Sequence, residues 1–278
     1  AGFGMRRYNP GTDANDPSAL TVLSELRRGI DRGELVLHYQ PKVETLTRRP
    51  CGVEALVRWQ HPERGLLPPG AFLPVIEPTE FIEELTETVL RMAIAQAGRW
   101  AAAGRPIAMS VNITARSLLD ASFPDRVAAT LADHRVPPDL LTLELTESAL
   151  ITAPTLASAA LRELHTRGVR ASIDDFGTGY SSMAFLRDMP VSELKIDRSF
   201  VTPMRVDERN HAIVTAMVDL ARNLHLDVVA EGVEDAETFG ALAAIGCRVV
   251  QGYHISRPLP VLELDEWLLR RPVAARSA

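Results

Sequence analysis

Short runs of apolar residues alternate along the chain with longer stretches in which apolar residues recur every three or four positions. The short runs have the length of buried strands, and the longer stretches have the period of amphipathic helices. The predicted strands are Leu35–Tyr39, Val53–Val57, Ile107–Val111, Leu141–Leu145, Val169–Ile173, Glu193–Ile196, Asp227–Val229 and Arg248–Val250. The predicted helices are Ser18–Arg32, Glu80–Ala103, Phe123–His134, Ser148–Arg167, Asn210–Leu224 and Glu237–Ile245.

This alternation predicts an α/β fold, a modified TIM-type (β/α)8 barrel with one antiparallel strand. The first two predicted strands are separated only by the segment Pro41–Pro50, which is rich in Pro, Thr and Arg. That segment is too short for a helical crossover, so we expect the pair to be antiparallel. A doubly wound open sheet is the structural alternative.

The barrel domain is expected to take up residues 18–271, since one such barrel needs roughly 250 residues. Residues 1–17 are rich in Gly, Asn, Asp and Pro and carry no apolar period, which predicts a linker or tail. Residues 272–278 are expected to form a short C-terminal tail.

Composition narrows the class of protein. The net charge of −6 argues against binding of a nucleic acid polymer through a basic face. No apolar run reaches the length of a membrane span, so we expect no membrane segment in this chain. Cys51 and Cys247 lack the spacing of a disulfide framework or a zinc site, which favours a cytoplasmic domain. A membrane anchor elsewhere in a longer protein stays open.

Polar residues lie repeatedly in or just after the predicted strands. In a barrel the carboxyl ends of the strands share one face, so these residues are expected to meet there. Any single carboxylate could instead cap a helix or lie in a solvated loop. Several at one face repel one another unless a cation neutralises them. The candidates are Glu54, Asn112, Glu144, Glu147, Asp174, Asp175, Lys195, Asp197, Glu231 and Gln251.

The candidate ligands are carboxylates and one amide, with no His or Cys at ligand spacing. Oxygen ligands favour Mg²⁺, Mn²⁺ or Ca²⁺ over zinc. The pair Asp174-Asp175 is the place where one carboxylate could bridge two ions. The glycines Gly177 and Gly179 that follow lack the Lys of a phosphate-binding P-loop, so we interpret them as a tight, mobile turn beside the metals.

These residues lie in ordered motifs that resemble the EAL family of cyclic di-GMP phosphodiesterases from about Leu20 to Leu268. The resemblance is carried by many separate motifs spread over most of the chain. They are Tyr39-Gln40-Pro41, Glu54-Ala55-Leu56-Val57-Arg58-Trp59, Ser110-Val111-Asn112-Ile113, Leu143-Glu144-Leu145-Thr146-Glu147-Ser148, Asp174-Asp175-Phe176-Gly177-Thr178-Gly179, Leu194-Lys195-Ile196-Asp197, Glu231-Gly232-Val233-Glu234 and Gln251-Gly252-Tyr253.

The resemblance implies a role for each matching position. Glu54, Asn112, Glu144 and Asp174 would hold a first Mg²⁺ or Mn²⁺, and Asp174, Asp175 and Glu231 a second. Lys195 would orient or deprotonate the attacking water, with a strand-end salt bridge to Asp197 or Glu231 as its structural alternative. Glu147 would anchor the loop that carries the two aspartates, or else cap the helix predicted from Ser148. The dinucleotide would contact Gln40, Leu56, Arg58 and Gln251, with Arg58 on a phosphate.

The implied activity is hydrolysis of cyclic di-GMP to linear pGpG, with Ca²⁺ as an inhibitor because its bonds are longer and it acidifies water less. A catalytically silent cyclic di-GMP receptor is the alternative, and a metal-dependent lyase of the enolase type is a third. The resemblance also implies a homodimer coupled to the site through Glu147. Residues 5–10 resemble the end of a GGDEF domain, so upstream GGDEF and sensor domains are expected in a longer protein.

Overall fold

A computed structural model describes residues 17–147, 154–179, 183–271 and 273. Its strands are β1 (Leu35–Glu44), β2 (Pro50–His61), β3 (Gly65–Leu67), β4 (Ala108–Asn112), β5 (Leu141–Thr146), β6 (Arg170–Phe176), β7 (Glu193–Ile196), β8 (Asp227–Ala230), β9 (Val249–Gln251) and β10 (Leu259–Pro260). Its α-helices are α1 (Pro17–Asp31), α2 (Leu73–Ile76), α3 (Phe81–Ala102), α4 (Ala115–Leu119), α5 (Phe123–Asp133), α6 (Pro154–Thr166), α7 (Met183–Asp188), α8 (Arg198–Val201), α9 (Glu208–Asn223), α10 (Ala236–Ala244) and α11 (Val261–Leu269). Short 3₁₀ helices span Pro69–Ala71 and Pro138–Leu140.

Eight of these strands close into a barrel. Around the ring the order is β1-β2-β4-β5-β6-β7-β8-β9, and β1 closes it by pairing with both β2 and β9. Neighbouring strands from β2 to β9 run parallel, whereas β1 is antiparallel to both of its neighbours in the ring. The predicted modified barrel is confirmed, and the open-sheet alternative is wrong because β1 joins the two ends.

The predicted loop at Pro41–Pro50 is wrong in its extent. Strand β1 continues through Pro41 to Glu44, and β2 already begins at Pro50. A turn of only a few residues remains, in which Arg48 adopts a left-handed φ of 56°. The strand accommodates Pro41, which has no N–H to donate, and its register shifts just beyond, between Lys42 and Val43.

The two faces of the strands differ in chemistry. Outward positions such as Val53, Leu143 and Ile173 are buried and belong to the hydrophobic core that packs against the surrounding helices. Inward positions are largely polar. The side chain of Lys42 on β1 contacts residues on β4, β5 and β7. It can reach all three strands only because it points into the barrel. The barrel interior is therefore a polar chamber enclosed by an apolar shell.

All eight predicted strands and the predicted long helices are present, with ends displaced by a few residues. The sequence pattern missed β3, β10, α2, α4, α7, α8 and α11, most of which are too short to show a period. The N-terminal part of the predicted helix Ser148–Arg167 and the tail up to residue 16 lie outside the described residues. In the part of the chain that is described, no helix is long and apolar enough to cross a membrane.

Candidate active site

The ammonium group of Lys195 lies at the centre of a ring of carboxylates inside the barrel, where its side chain is almost fully buried. Its Nζ atom is 2.7 Å from Glu231 Oε1, 2.8 Å from Glu144 Oε2, 3.1 Å from Asp174 Oδ1 and 3.6 Å from Glu54 Oε2. These residues come from β2, β5, β6, β7 and the loop after β8. The fold thus brings together in this ring five of the ten side chains that the strand pattern predicted to meet.

Strand register and one irregularity place Asp174 in this ring and Asp175 beside it. Thr146 on β5 pairs with Asp174, but the pairing of β6 with β7 is interrupted between Ile173 and Phe176. Within that interruption Asp175 adopts a φ of 53°, which is uncommon for a residue other than glycine. Adjacent strand residues normally face opposite sides, so the irregularity lets both aspartates face one site.

The resulting cluster can hold a metal ion. One carboxylate oxygen each from Asp174, Asp175 and Glu231 lies within 4.8 Å of the others. The donors are all hard oxygen atoms, which is the ligand chemistry of Mg²⁺ and Mn²⁺. The observed donor set therefore fits the predicted type of ion.

A second group of side chains fixes Glu54, which is also buried. Asn112 Nδ2 donates to Glu54 Oε1 at 2.8 Å, and Gln251 Nε2 donates to Glu54 Oε2 at 2.6 Å. Gln251 Nε2 also lies 3.1 Å from Gln40 Oε1. These amides hold Glu54 and place the predicted ligand Asn112 directly beside it.

The charges of the buried ring depend on one another. Burial alone would raise the pKa of Glu144, but Lys195 and Lys42 overcome it and hold that pKa at about 2. Glu231 is different, because burial raises its pKa to about 8. The negative charges of Asp174 and Glu54 add to this effect, and the positive charge of Lys195 opposes it. Burial would lower the pKa of Lys195, yet the surrounding carboxylates raise it well above its usual value. The ring is thus a set of coupled charges with more acidic groups than cations.

Glu147 contacts the loop that follows the aspartates. Its Oε2 atom accepts hydrogen bonds from the backbone N–H groups of Gly177 at 2.9 Å and Gly179 at 3.2 Å. A Cβ atom built on Gly179 would come within 2.9 Å of the Glu147 carboxylate, so a larger residue here would displace that carboxylate from its present position. The geometry matches the predicted loop contact. The helix that Glu147 would otherwise cap lies outside the described residues at its predicted start.

An open cleft with a volume of about 210 Å³ leads to the carboxylate ring. Gln40, Leu56 and Gln251, three of the four predicted substrate contacts, line it. Arg58 is not among the lining residues, and its Nη1 atom donates to the carbonyl of Val57 at 2.8 Å. Of the four predicted contacts, Arg58 alone is therefore not brought to the cleft wall.

Several polar residues at the site were missed by the strand-end rule, Lys42 and Arg198 among them. Lys42 lies within β1 and binds Glu144 Oε1 at 2.7 Å. Arg198 lines the cleft from the start of α8. The sequence does contain one signal that could have drawn attention to Lys42, because Lys42 and Lys195 are its only two lysines.

The alternative interpretation of Lys195, a strand-end salt bridge to Asp197 or Glu231, has a partner in Glu231. Lys195 does bind Glu231, but Asp197 has another task, since its side chain accepts the N–H of Ser199 and caps α8. A simple ion pair would join Lys195 to one carboxylate, whereas four carboxylates surround its ammonium group.

The chain also matches known proteins. Residues 23–258 match the model of the EAL domain family, which is most of the chain. The chain belongs to the EAL family. As expected for an EAL domain, the chain is 37% identical over 270 residues to the protein named cyclic di-GMP phosphodiesterase PA2567 of Pseudomonas aeruginosa, covering 97% of this chain and 46% of that protein.

A second relative of this EAL domain has a solved structure of the matching part. The chain is 42% identical over 258 residues to the bifunctional diguanylate cyclase/cyclic di-GMP phosphodiesterase MucR of the same organism, covering 92% of this chain and 38% of that protein. The structure of the PaMucR phosphodiesterase in complex with c-di-GMP superposes with a TM-score of 0.84, covering 88% of this chain and 99% of that one. The EAL domain thus spans less than half the length of these two curated relatives.

Proposed function

We propose that this EAL domain is a divalent-metal-dependent phosphodiesterase that hydrolyses cyclic di-GMP to linear pGpG and so lowers the level of this second messenger. The observation that carries the proposal is the complete carboxylate ring around Lys195, with oxygen atoms of Asp174, Asp175 and Glu231 within 4.8 Å of one another. The names of the two Pseudomonas relatives supply the substrate.

The proposed site would hold two Mg²⁺ or Mn²⁺ ions. In the proposed arrangement Glu54, Asn112, Glu144 and Asp174 hold one ion, and Asp174, Asp175 and Glu231 hold the other. All of these are oxygen donors. The raised pKa of Glu231 and Glu54 is the behaviour of buried carboxylates whose mutual repulsion calls for additional positive charge.

The two kinds of cation have different tasks. Bound divalent ions would supply positive charge to the phosphate and acidify the attacking water. The Lys195 ammonium lies between Glu231 and Asp174 and can donate a hydrogen bond to a water placed there. Because the carboxylates hold its pKa well above the usual value, we assign Lys195 the orientation of this water rather than its deprotonation.

The cleft offers polar groups for the dinucleotide. Gln251 Oε1 is buried and has no hydrogen-bond partner among the described residues, although it belongs to a residue of the cleft wall. A buried acceptor without a partner costs about 1–3 kcal/mol, so a donor group on the ligand would stabilise it. Gln40 and Leu56 would contact the ligand beside it, and Arg58 would turn from Val57 to a phosphate.

The remaining expectations concern the longer protein. We propose that the domain works in the cytoplasm as a homodimer, with the Glu147-bound loop linking the dimer to the site. MucR is named as a protein with diguanylate cyclase activity as well, which supports an upstream GGDEF domain here. The proposed domain limits are residues 18–271, with tails at 1–17 and 272–278.

One incubation separates an enzyme from a silent receptor. The purified domain is mixed with cyclic di-GMP and Mn²⁺, and the products are separated and identified by mass spectrometry. We expect accumulation of pGpG that stops on addition of a chelator. Binding of cyclic di-GMP without any pGpG would contradict the proposal and favour the receptor.

A further inference from the structure

Lys42 is a buried cation that the proposed chemistry does not use. Its side chain is only 5% exposed, and its Nζ atom lies 2.7 Å from Glu144 Oε1, 2.8 Å from Ser110 Oγ and 3.4 Å from Glu193 Oε1. In the strand register Lys42 pairs with Gly52, two residues before Glu54, so it lies one layer below the carboxylate ring. A second lysine therefore contacts the carboxylate ring from the adjacent layer of side chains inside the barrel.

The composition of the chain sets Lys42 apart from nearly all other basic residues. The chain has 30 basic residues, and all except Lys42 and Lys195 are arginines. Arginine carries a planar fork of five donors, whereas lysine is a compact point charge on a flexible stem. Both lysines lie inside the barrel and both bind Glu144, which is a chemical specialisation rather than a general use of lysine for surface charge.

The two oxygen atoms of the Glu144 carboxylate bind different lysines. Lys42 binds Oε1 and Lys195 binds Oε2, and Glu144 is completely buried. With Oε1 held from below, the carboxylate cannot rotate about its terminal bond without breaking a charge-assisted hydrogen bond. Only Oε2 is therefore presented to the centre of the ring.

We propose that Lys42 is a positioning residue that holds Glu144 in the orientation required of a metal ligand. This inference rests on the proposed function, in which Glu144 binds one of the two ions. Partners that orient a metal ligand from behind typically contribute about 10- to 100-fold to metal affinity. Removal of Lys42 should thus weaken metal binding at this site even where the protein stays folded.

The test is Mn²⁺ binding measured by calorimetry on the folded domain, without substrate. Lys42→Met keeps the length of the side chain and removes the charge, and we expect about 10-fold weaker Mn²⁺ binding. Lys42→Met/Glu193→Gln also removes the neighbouring negative charge and should recover stability. Arg187→Met removes a cation whose side chain is 68% exposed and serves as the matched control with unchanged affinity.

The double variant separates positioning from charge balance. If Lys42 only neutralises its neighbours, Mn²⁺ affinity returns together with melting temperature in Lys42→Met/Glu193→Gln, and the inference is overturned. If Lys42 positions Glu144, melting temperature recovers while affinity stays low. A wild type that binds no Mn²⁺ overturns the proposed function and this inference with it. A wild type that binds Mn²⁺ beside a Lys42→Met variant of equal affinity overturns this inference alone.

The wild-type protein offers an independent measurement should the Lys42 variants fail to fold. Lysine labelled with ¹³C at Cε gives only two resonances, because the chain has two lysines. They are assigned with the Lys195→Met variant. Saturation with Mg²⁺ should shift the Lys42 resonance as well as that of Lys195, since Glu144 joins them. A Lys42 resonance that does not move while that of Lys195 does would contradict the inference.

Discussion

Of the four contacts between Lys195 and the surrounding carboxylates, the one with Glu231 is the shortest, with 2.7 Å between Nζ and Oε1. The two residues lie on β7 and just after β8, strands that pair in parallel with Lys195 opposite Val229. Glu231 is at the same time one of the three residues whose oxygen atoms cluster as candidate metal ligands. A metal ion bound by this cluster would therefore share the Glu231 carboxylate with Lys195.

Replacement of Lys195 tests that arrangement. In the presence of saturating Mn²⁺, Lys195→Met should reduce kcat by about 100-fold or more, because loss of the group that orients the attacking water costs activity on that scale. Binding of cyclic di-GMP should change little. Steady-state kinetics and calorimetry on the same variant provide both numbers. A kcat near that of the wild type would favour the structural ion pair with Glu231.

Glu147 should act on catalysis through the loop that it binds. Its hydrogen bonds to Gly177 and Gly179 hold the loop that follows Asp174 and Asp175, so Glu147→Ala should lower activity strongly and weaken the second metal and any dimer. A helix cap would instead cost about 1 kcal/mol of stability and leave kcat almost intact. Measurement of kcat and melting temperature on one variant decides.

Gly179→Ala is a matched variant for the same contact. It leaves the Glu147 carboxylate in the protein but places a Cβ atom within 2.9 Å of it, which must push the two apart. We expect its kcat to fall together with that of Glu147→Ala. Full activity in Gly179→Ala would show that the loop contact is not needed for turnover.

The raised pKa of Glu231 predicts a pH dependence of metal binding. Burial raises this pKa to about 8, above the value of 4.5 for a free glutamate. The folded protein keeps a proton that the unfolded chain has lost between these values, so this group's contribution to stability falls as pH rises from about 4.5 to about 8. A metal must displace the same proton, so Mn²⁺ binds better as pH rises through this range.

The prediction is checked by thermal unfolding with and without Mn²⁺ at about pH 6.5 and about pH 8.5. The increase in melting temperature on adding Mn²⁺ should be larger at the higher pH. Glu231→Gln cannot titrate, so its residual increase should depend less on pH. An increase that is larger at the lower pH would contradict the assignment of Glu231 as a ligand.

Exchange of the metal should separate binding from turnover. Ca²⁺ accepts the same oxygen ligands at longer distances, 2.3–2.6 Å against about 2.0–2.1 Å for Mg²⁺. We expect Ca²⁺ to support binding of cyclic di-GMP and to inhibit the Mn²⁺-dependent reaction. Calorimetry in Ca²⁺ and a turnover assay with both ions measure the two effects. Turnover in Ca²⁺ alone equal to that in Mn²⁺ would contradict this expectation.

Much of the fold follows from patterns that the sequence displays. The eight strands of the ring are visible as apolar runs, and the short link between the first two predicts the antiparallel β1. The extension of β1 through Pro41 was missed, because proline usually marks the end of a strand and the compensating shift in register at Lys42 and Val43 depends on tertiary pairing. Short elements such as α4 carry too few residues to show a period.

Part of the candidate site could also be predicted from the sequence pattern. Carboxylates at strand ends, such as Asp174, are conspicuous because a strand pattern stops there. Lys42 is not, since an inward-facing polar residue in mid-strand resembles a solvent-facing one when only the alternation is known. The left-handed φ of Asp175 and the orientation of Arg58 toward Val57 depend on local packing, which no spacing of residues reveals.

The central claim is metal-dependent hydrolysis of cyclic di-GMP, and reaction in water enriched in ¹⁸O tests it most directly. The domain is incubated with cyclic di-GMP and Mn²⁺ in this solvent, and the product is analysed by mass spectrometry. The account predicts pGpG carrying one ¹⁸O atom on its terminal phosphate, and no product when a chelator is present. Cyclic di-GMP left intact, or cleaved as readily in excess chelator, would contradict it.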